Sequence, residues 1–162
     1  VGWVGRQLHK IDRKDPLLPM FIGEYHISID DKGRIVVPTK LRETLALGGV
    51  VTRGLDSSLF LMLKGDWEKL AQKLGDLPLN QANSRSFARF MLAGATEIAP
   101  DKQGRFLIPE YLRVYAGINK EVVLVGVHSR LELWAKDKWL AYAAEVENRA
   151  EELAESLTGL GL

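Results

Sequence analysis

The stretch Asp30-Asp31-Lys32-Gly33-Arg34-Ile35-Val36-Val37-Pro38 recurs 71 positions later as Asp101-Lys102-Gln103-Gly104-Arg105-Phe106-Leu107-Ile108-Pro109. The agreement extends beyond this stretch, because Leu41-Arg42 matches Leu112-Arg113 at the same spacing. After one inserted residue the correspondence continues at a spacing of 72. Repetition of a unit of this size is typical of a duplicated small domain. We therefore expect two related units in the 162-residue chain.

The composition, with 46% hydrophobic and 27% charged residues, is typical of a soluble globular protein. The absence of cysteine excludes disulfides and thiolate metal sites and suits a cytoplasmic protein. The three histidines show no metal-ligand spacing, and no stretch approaches the ~18 apolar residues of a membrane span. We therefore expect no metal, no cofactor and no membrane association.

Charge is distributed unevenly along the chain, although the formal net charge is only +1. Residues 138–162 contain two basic and five acidic side chains, so the rest of the chain carries the positive balance. A basic body with an acidic terminal segment is compatible with a local anion-binding face.

Three segments follow from the patterning. Residues 1–19 show no clear period, and we expect them to be a flexible extension or a cloning remnant, with the natural protein starting at Met20. The first repeat with its trailing helix is expected over residues 20–79. A linking helix, the second repeat and a C-terminal helix are expected over residues 80–162.

Alternation of apolar and polar residues predicts the strands, and turn residues separate them. In the first unit we predict strands at Glu24–Ile29, Arg34–Val37, Val50–Arg53 and Leu59–Leu63, a turn at Asp30–Gly33 and a helix from Pro38. Asp66 and Asn80 are predicted to cap the two helices that lead into the second unit. The same cycle is expected around the turn at Asp101–Gly104.

A single C-terminal helix is predicted from about Lys138 to Leu157. Its apolar residues are spaced by three and four, as in the a and d positions of a coiled coil: Trp139, Ala143, Val146, Ala150, Leu153 and Leu157. We call this row the C-terminal seam. It is too short to argue for a free-standing coiled coil. Two interpretations stay open, packing on its own domain and packing on a neighbouring subunit.

The repeated turn gathers basic side chains. Lys32 and Arg34 lie in the first copy, and Lys102 and Arg105 in the second. Arginine offers a planar fork of donors that fits phosphate or guanine edges, whereas lysine offers a compact charge. A turn requires its glycine but not an adjacent arginine. Recurrence of that arginine therefore favours a function over a plain turn with solvated charges.

An aspartate precedes each arginine, with three residues between them. Asp30 and Asp101 have the chemistry either to orient the arginine or to accept hydrogen bonds from the turn backbone. The sequence alone leaves both roles open.

The unit strand, Asp-x-x-Gly-Arg, strand, Pro, helix resembles the SpoVT/AbrB DNA-binding domain. Two such units, the first opened by Met20-Phe21-Ile22-Gly23, resemble the MraZ family over about residues 20–157. This resemblance implies an α+β, mainly β fold. Two pseudo-repeated swapped-hairpin β-barrel units would carry short helices and a C-terminal helix.

The resemblance also implies a function. It points to a cytoplasmic, nucleoid-associated bacterial transcriptional regulator of the cell-division and cell-wall gene cluster. Such a protein would bind repeated sites in its own double-stranded promoter DNA as a homo-oligomeric ring of about eight subunits. The Asp/Arg pairs would contact DNA, and with the lysines of the same turns the predicted DNA-binding set is Asp30, Lys32, Arg34, Asp101, Lys102 and Arg105. Gln103 stands where the first copy has Lys32, so the two copies are expected to contribute unequally.

Few basic side chains per chain favour multivalent binding, because linked weak sites gain affinity through effective concentration. The alternative is a ring-forming scaffold in which the arginine turns make subunit contacts. An enzyme with a small-molecule substrate is the least favoured class. Outside the turns, no paired carboxylates recur at helical or hairpin spacing, and the sequence shows no glycine-rich phosphate loop or metal cluster.

Overall fold

The computed structural model of the chain describes residues 20–161, which contain eight β-strands and six α-helices. The strands are β1 Glu24–Ser28, β2 Arg34–Val36, β3 Gly49–Arg53, β4 Leu59–Leu63, β5 Thr96–Ile98, β6 Arg105–Leu107, β7 Glu121–Val127 and β8 Arg130–Ala135. The helices are α1 Thr39–Leu45, α2 Lys64–Gly75, α3 Ala82–Ala93, α4 Glu110–Ala116, α5 Lys136–Asn148 and α6 Ala150–Ser156. The prediction for residues 1–19 lies outside the described residues.

The strands form two antiparallel sheets that mix the repeats. The six-stranded sheet has the order β1-β7-β8-β4-β3-β5, and β2 pairs with β6 in a separate two-stranded ribbon. The first repeat thus contributes β1 to the edge beside β7, and the second contributes β5 to the edge beside β3. This exchange is the swapped-hairpin organisation that the resemblance implies, and here it occurs within one chain.

The strand order is symmetric about the centre of the larger sheet. At that centre β4 pairs with β8, with Leu59 opposite Leu133 and Leu61 opposite Leu131. All four leucines are fully buried. Since apolar burial is the dominant stabilising term, this central pair helps to join the two repeats, together with the β1–β7 and β3–β5 pairs.

The α+β class with a strand-centred core is confirmed, but the strands of the described residues do not close into the barrels we expected. In that part of the chain β1 and β5 end the six-stranded sheet, and β2 pairs with β6 and, through a single bridge between Ile29 and Ile35, with the residue after β1. The sheet therefore remains open at both ends. The unit boundary between residues 79 and 80 stays a prediction.

Two predicted helix caps are wrong. Helix α2 begins at Lys64, directly after β4, so Asp66 lies in its first turn rather than at the cap. Helix α3 begins at Ala82 with Gln81 at its N-cap, one residue later than a cap at Asn80 would require. Helix α2 follows directly from a strand and α3 follows a turn, and neither has a side-chain hydrogen bond at its N-cap.

The prediction of a single C-terminal helix is also wrong, because this segment forms two helices, α5 and α6. Arg149 separates them with φ −114° and ψ 10°, outside the helical region. Its backbone N–H donates to the carbonyl of Val146, three residues back, so the helical ladder is interrupted. No residue of either helix is buried within the chain.

None of the helices in the described part of the chain is both long and apolar enough to cross a bilayer.

Candidate nucleic-acid interface

Both Asp-x-x-Gly segments fold into the same tight turn. The carbonyl of Asp30 accepts the N–H of Gly33 at 3.0 Å, and that of Asp101 accepts the N–H of Gly104 at 2.9 Å. Both glycines have positive φ, +83° and +76°, a conformation that costs a residue with a Cβ about 1–2 kcal/mol. Aspartate at the first turn position and glycine at the fourth are the residues this geometry favours.

The aspartate side chain performs both roles that the sequence left open. In the first turn the Asp30 carboxylate accepts the backbone N–H groups of Lys32 and Arg34 at 2.9 and 2.8 Å, and the Arg34 Nε–H at 2.8 Å. Asp101 accepts the equivalent three bonds from Gln103 and Arg105, each at 2.9 Å. Each carboxylate therefore fixes both the turn backbone and the arginine.

These hydrogen bonds shift the acidity of both carboxyls. The backbone N–H of Arg34 is the main cause that lowers the pKa of Asp30, and its side chain adds to the effect. The backbone N–H of Arg105 lowers the pKa of Asp101 in the same way. Both carboxylates are thus ionised at neutral pH.

Each arginine keeps part of its hydrogen-bonding capacity. The side chains of Arg34 and Arg105 are 31% and 34% exposed. Their Nε atoms are bound to the aspartates, and their terminal Nη groups make no hydrogen bond with any residue in the range 20–161. The guanidinium groups are therefore oriented while their outer edges are open to a ligand.

The ribbon brings the two arginines together. Arg34 lies opposite Leu107, and Val36 lies opposite Arg105, so all four side chains share one face. Arg34 and Arg105 are diagonal neighbours across the two strands, a relation that places their Cα atoms roughly 7–8 Å apart. Val36 and Leu107 are 43% and 51% exposed, whereas the intervening Ile35 on the other face is fully buried. The two sequence motifs thus form one exposed surface, which we call the arginine ribbon.

The lysines lie at the turns, and they are not equivalent. Lys32 is the third residue of its turn and donates its backbone N–H to Asp30, as Gln103 does to Asp101. Lys102 is the second residue of its turn, the position that Asp31 occupies in the first. Both lysines are exposed, but each repeat presents its positive charge at a different point.

Two arginines that the predicted set omitted lie beside the turns. Arg42 donates its Nε–H to the Val37 carbonyl at 3.1 Å, and Arg113 donates to the Ile108 carbonyl at 3.0 Å. A Cβ added to Gly33 would lie 2.8 Å from Cζ of Arg113. The same addition to Gly104 would lie 3.0 Å from Nε of Arg42. Each arginine therefore packs on the turn of the other repeat. The sequence signal that could have identified these two arginines is that they occupy matching positions in the two repeats.

Comparison with known proteins assigns the family. Residues 20–90 and 91–160 each match the family described as "MraZ protein, putative antitoxin-like". The chain belongs to the MraZ family. The paired matches also confirm the duplication predicted from the repeated motif.

Similar proteins come from several bacteria. The chain is 47% identical over 138 residues to a protein of Moorella thermoacetica, covering 85% of this chain and 96% of the relative. It is 44% identical over 143 residues to a protein of Syntrophomonas wolfei, covering 88% and 100%. It is 48% identical over 143 residues to a protein of Pelotomaculum thermopropionicum, covering 88% and 99%. All three MraZ relatives carry the name "Transcriptional regulator MraZ".

Proposed function

We propose that this chain is a DNA-binding transcriptional regulator that contacts double-stranded promoter DNA through the arginine ribbon. The observation that carries the proposal is the pair Arg34 and Arg105. They lie on one exposed face, each oriented by an aspartate and each with an open guanidinium edge. The names of the relatives agree with this class of function.

The dimensions of the ribbon suit the major groove. That groove is about 12 Å wide and admits a two-stranded β-ribbon. An arginine there can donate two hydrogen bonds to guanine O6 and N7 or to a phosphate. Because Asp30 and Asp101 already hold the arginines, little side-chain entropy remains to be lost on binding. In this proposal the aspartates orient, the arginines contact DNA, and Lys32 and Lys102 approach the phosphates.

Multivalency is the second part of the proposal. One ribbon with seven charged side chains at its turns and strands, Asp31 and the six of the predicted set, is a small interface, so several subunits would act together on repeated promoter sites. The C-terminal seam supports assembly, because Val146 and Leu153 lie on helices that bury no residue within the chain. A ring of about eight subunits at the promoter of the division and cell-wall gene cluster remains our proposal for the assembled form. Such a regulator would act in the cytoplasm, at the nucleoid.

The test is a gel-shift and fluorescence-anisotropy titration with the DNA just upstream of this protein's own gene. Arg34→Ala/Arg105→Ala is compared with wild type and with Arg89→Ala, an exposed arginine of α3 that serves as the matched control. Loss of one good bidentate contact costs about 1–3 kcal/mol, so loss of both costs at least about 2 kcal/mol and the double variant should bind at least about 30-fold more weakly. Arg89→Ala should bind as wild type does.

Light scattering of the same samples separates the two functions considered for the arginine turns. Weak DNA binding by a double variant of normal assembly size supports the regulator. Dissociation of that variant into smaller species would instead support the scaffold, in which the arginines hold subunits together. Wild-type protein that is assembled but shifts no DNA even at low salt would contradict the proposal, because phosphate contacts strengthen as salt falls.

A further inference from the structure

The arginine pair Arg42 and Arg113 has a feature that a surface charge does not require. Each Nε–H is committed to a carbonyl at the end of a ribbon strand, Val37 or Ile108, within its own repeat. Each guanidinium also lies against the glycine of the opposite turn. A guanidinium that contacts both segments in this way links them rather than extending into solvent.

We infer that Arg42 and Arg113 are positioning residues that hold the DNA-binding turns in place, each one through contacts with the turn of the other repeat, which we call the crosswise contacts. This inference rests on the proposed function. Arg113 acts on the first turn. It fixes the Ile108 carbonyl, and the Ile108 N–H in turn donates to the Gly33 carbonyl at 2.9 Å. Gly33 is therefore held through its carbonyl and covered by the guanidinium.

Arg42 acts on the second turn through the equivalent contacts. It fixes the Val37 carbonyl, and the Val37 N–H donates to the Gly104 carbonyl at 2.7 Å. The two arrangements are related by the same symmetry that pairs β2 with β6. The orientation of Arg34 therefore depends on Arg113, and that of Arg105 depends on Arg42.

The geometry favours positioning over direct phosphate contact. Three atoms of the Arg113 guanidinium are almost equally far from a Cβ added to Gly33: Cζ lies at 2.8 Å, Nε at 2.9 Å and Nη2 at 3.0 Å. The flat face of the group thus rests on the turn. Lysine has a single ammonium and no planar face, so it keeps the charge but not this contact.

The first experiment is amide hydrogen exchange on the full chain without DNA, which tests the crosswise contacts independently of the proposed function. Arg113→Ala should accelerate exchange about tenfold at the hydrogen-bonded amides of residues 32–34 and leave residues 103–105 unchanged, since local opening sets the rate. Arg42→Ala should produce the reverse pattern, and Arg89→Ala should change neither turn. Acceleration in a variant's own repeat, or equally in both turns, would overturn the inference.

The second experiment measures affinity for the DNA upstream of this protein's own gene, beside a scrambled duplex of equal length. Arg113→Ala and Arg113→Lys should both weaken binding to the upstream DNA about tenfold, because both lose the planar contact that orients Arg34. The slope of log affinity against log salt should stay at the wild-type value. Wild-type affinity in Arg113→Lys, or a slope reduced by about 0.9 per chain in Arg113→Ala, would identify a phosphate contact and overturn positioning. Lack of DNA binding by wild type would contradict the proposed function, while exchange would still decide the crosswise contacts.

Discussion

Replacement of Gly33 by alanine probes the crosswise contact and the turn at the same time. The residue has φ +83°, which costs alanine about 1–2 kcal/mol. The added methyl group would lie 2.8 Å from Cζ of Arg113, so the guanidinium must move. Moving it breaks the 3.0 Å hydrogen bond to the Ile108 carbonyl, worth about 1 kcal/mol. Alanine also lowers the conformational entropy of the unfolded chain, which stabilises the folded state by about 0.5 kcal/mol. The free energy of unfolding should therefore fall by about 2 kcal/mol in total.

The assay is urea unfolding followed by circular dichroism at one fixed protein concentration, since assembly makes stability concentration-dependent. With a urea dependence of about 2 kcal/mol per molar, Gly33→Ala should lower the midpoint by about 1 M. Gly75→Ala is the matched control. It lies at the end of α2 with no atom within 4 Å of the added Cβ, and it should raise stability slightly.

A double variant separates the two parts of the loss. In Gly33→Ala/Arg113→Ala the collision is absent, so the substitution at Gly33 should cost only the backbone strain in that background. A midpoint for Gly33→Ala equal to that of wild type, or the same cost with and without Arg113, would refute the reasoning.

Two further predictions concern the carboxylates and the assembly. Because the folded-state pKa values of Asp30 and Asp101 lie below their ordinary 3.8, their stabilising effect is present above that pH and is lost as pH falls through the lower folded values. The stability difference between wild type and Asp30→Asn/Asp101→Asn should therefore be constant above about pH 5 and shrink below 3.8 in unfolding measurements; a difference that grows on acidification would contradict this sign. Leu153→Asp should reduce the assembly size in light scattering while circular dichroism stays unchanged, because α6 buries no residue in its own chain. An unchanged assembly would mean that the C-terminal seam is not a subunit contact.

The local elements were largely predictable because they depend on neighbouring residues. The alternation over Glu24–Ile29 and the Asp-x-x-Gly signals correspond to β1 and to both turns almost residue by residue. Helix starts were harder, since α2 continues directly from β4 and requires no cap at Asp66. The interruption at Arg149 has no glycine or proline to signal it.

The candidate site was predictable only in part, for a related reason. The spacing of Asp30 and Arg34 is local, and it indicated two alternative roles for the carboxylate, orienting the arginine or binding the turn backbone; the structure shows both. Which strand lies beside β2 is not local, because periodicity carries no information on pairing between distant segments. The sequence therefore showed that Arg42 and Arg113 are equivalent but not that each one contacts the other repeat.

Pairing between repeats makes the arginine ribbon a property of the whole duplication. Neither motif alone forms the ribbon, since β2 pairs along its length with β6 and, in the described residues, has only the Ile29–Ile35 bridge within its own repeat. Duplication within one chain supplies both strands at a fixed ratio while allowing the copies to differ. Lys32 has Gln103 as its structural equivalent, and Lys102 has Asp31, so the two ends of the ribbon carry different charges. In the proposed function, a ribbon with unequal ends has a preferred direction on DNA, and repeated sites of one orientation would match subunits that all present the ribbon in the same sense.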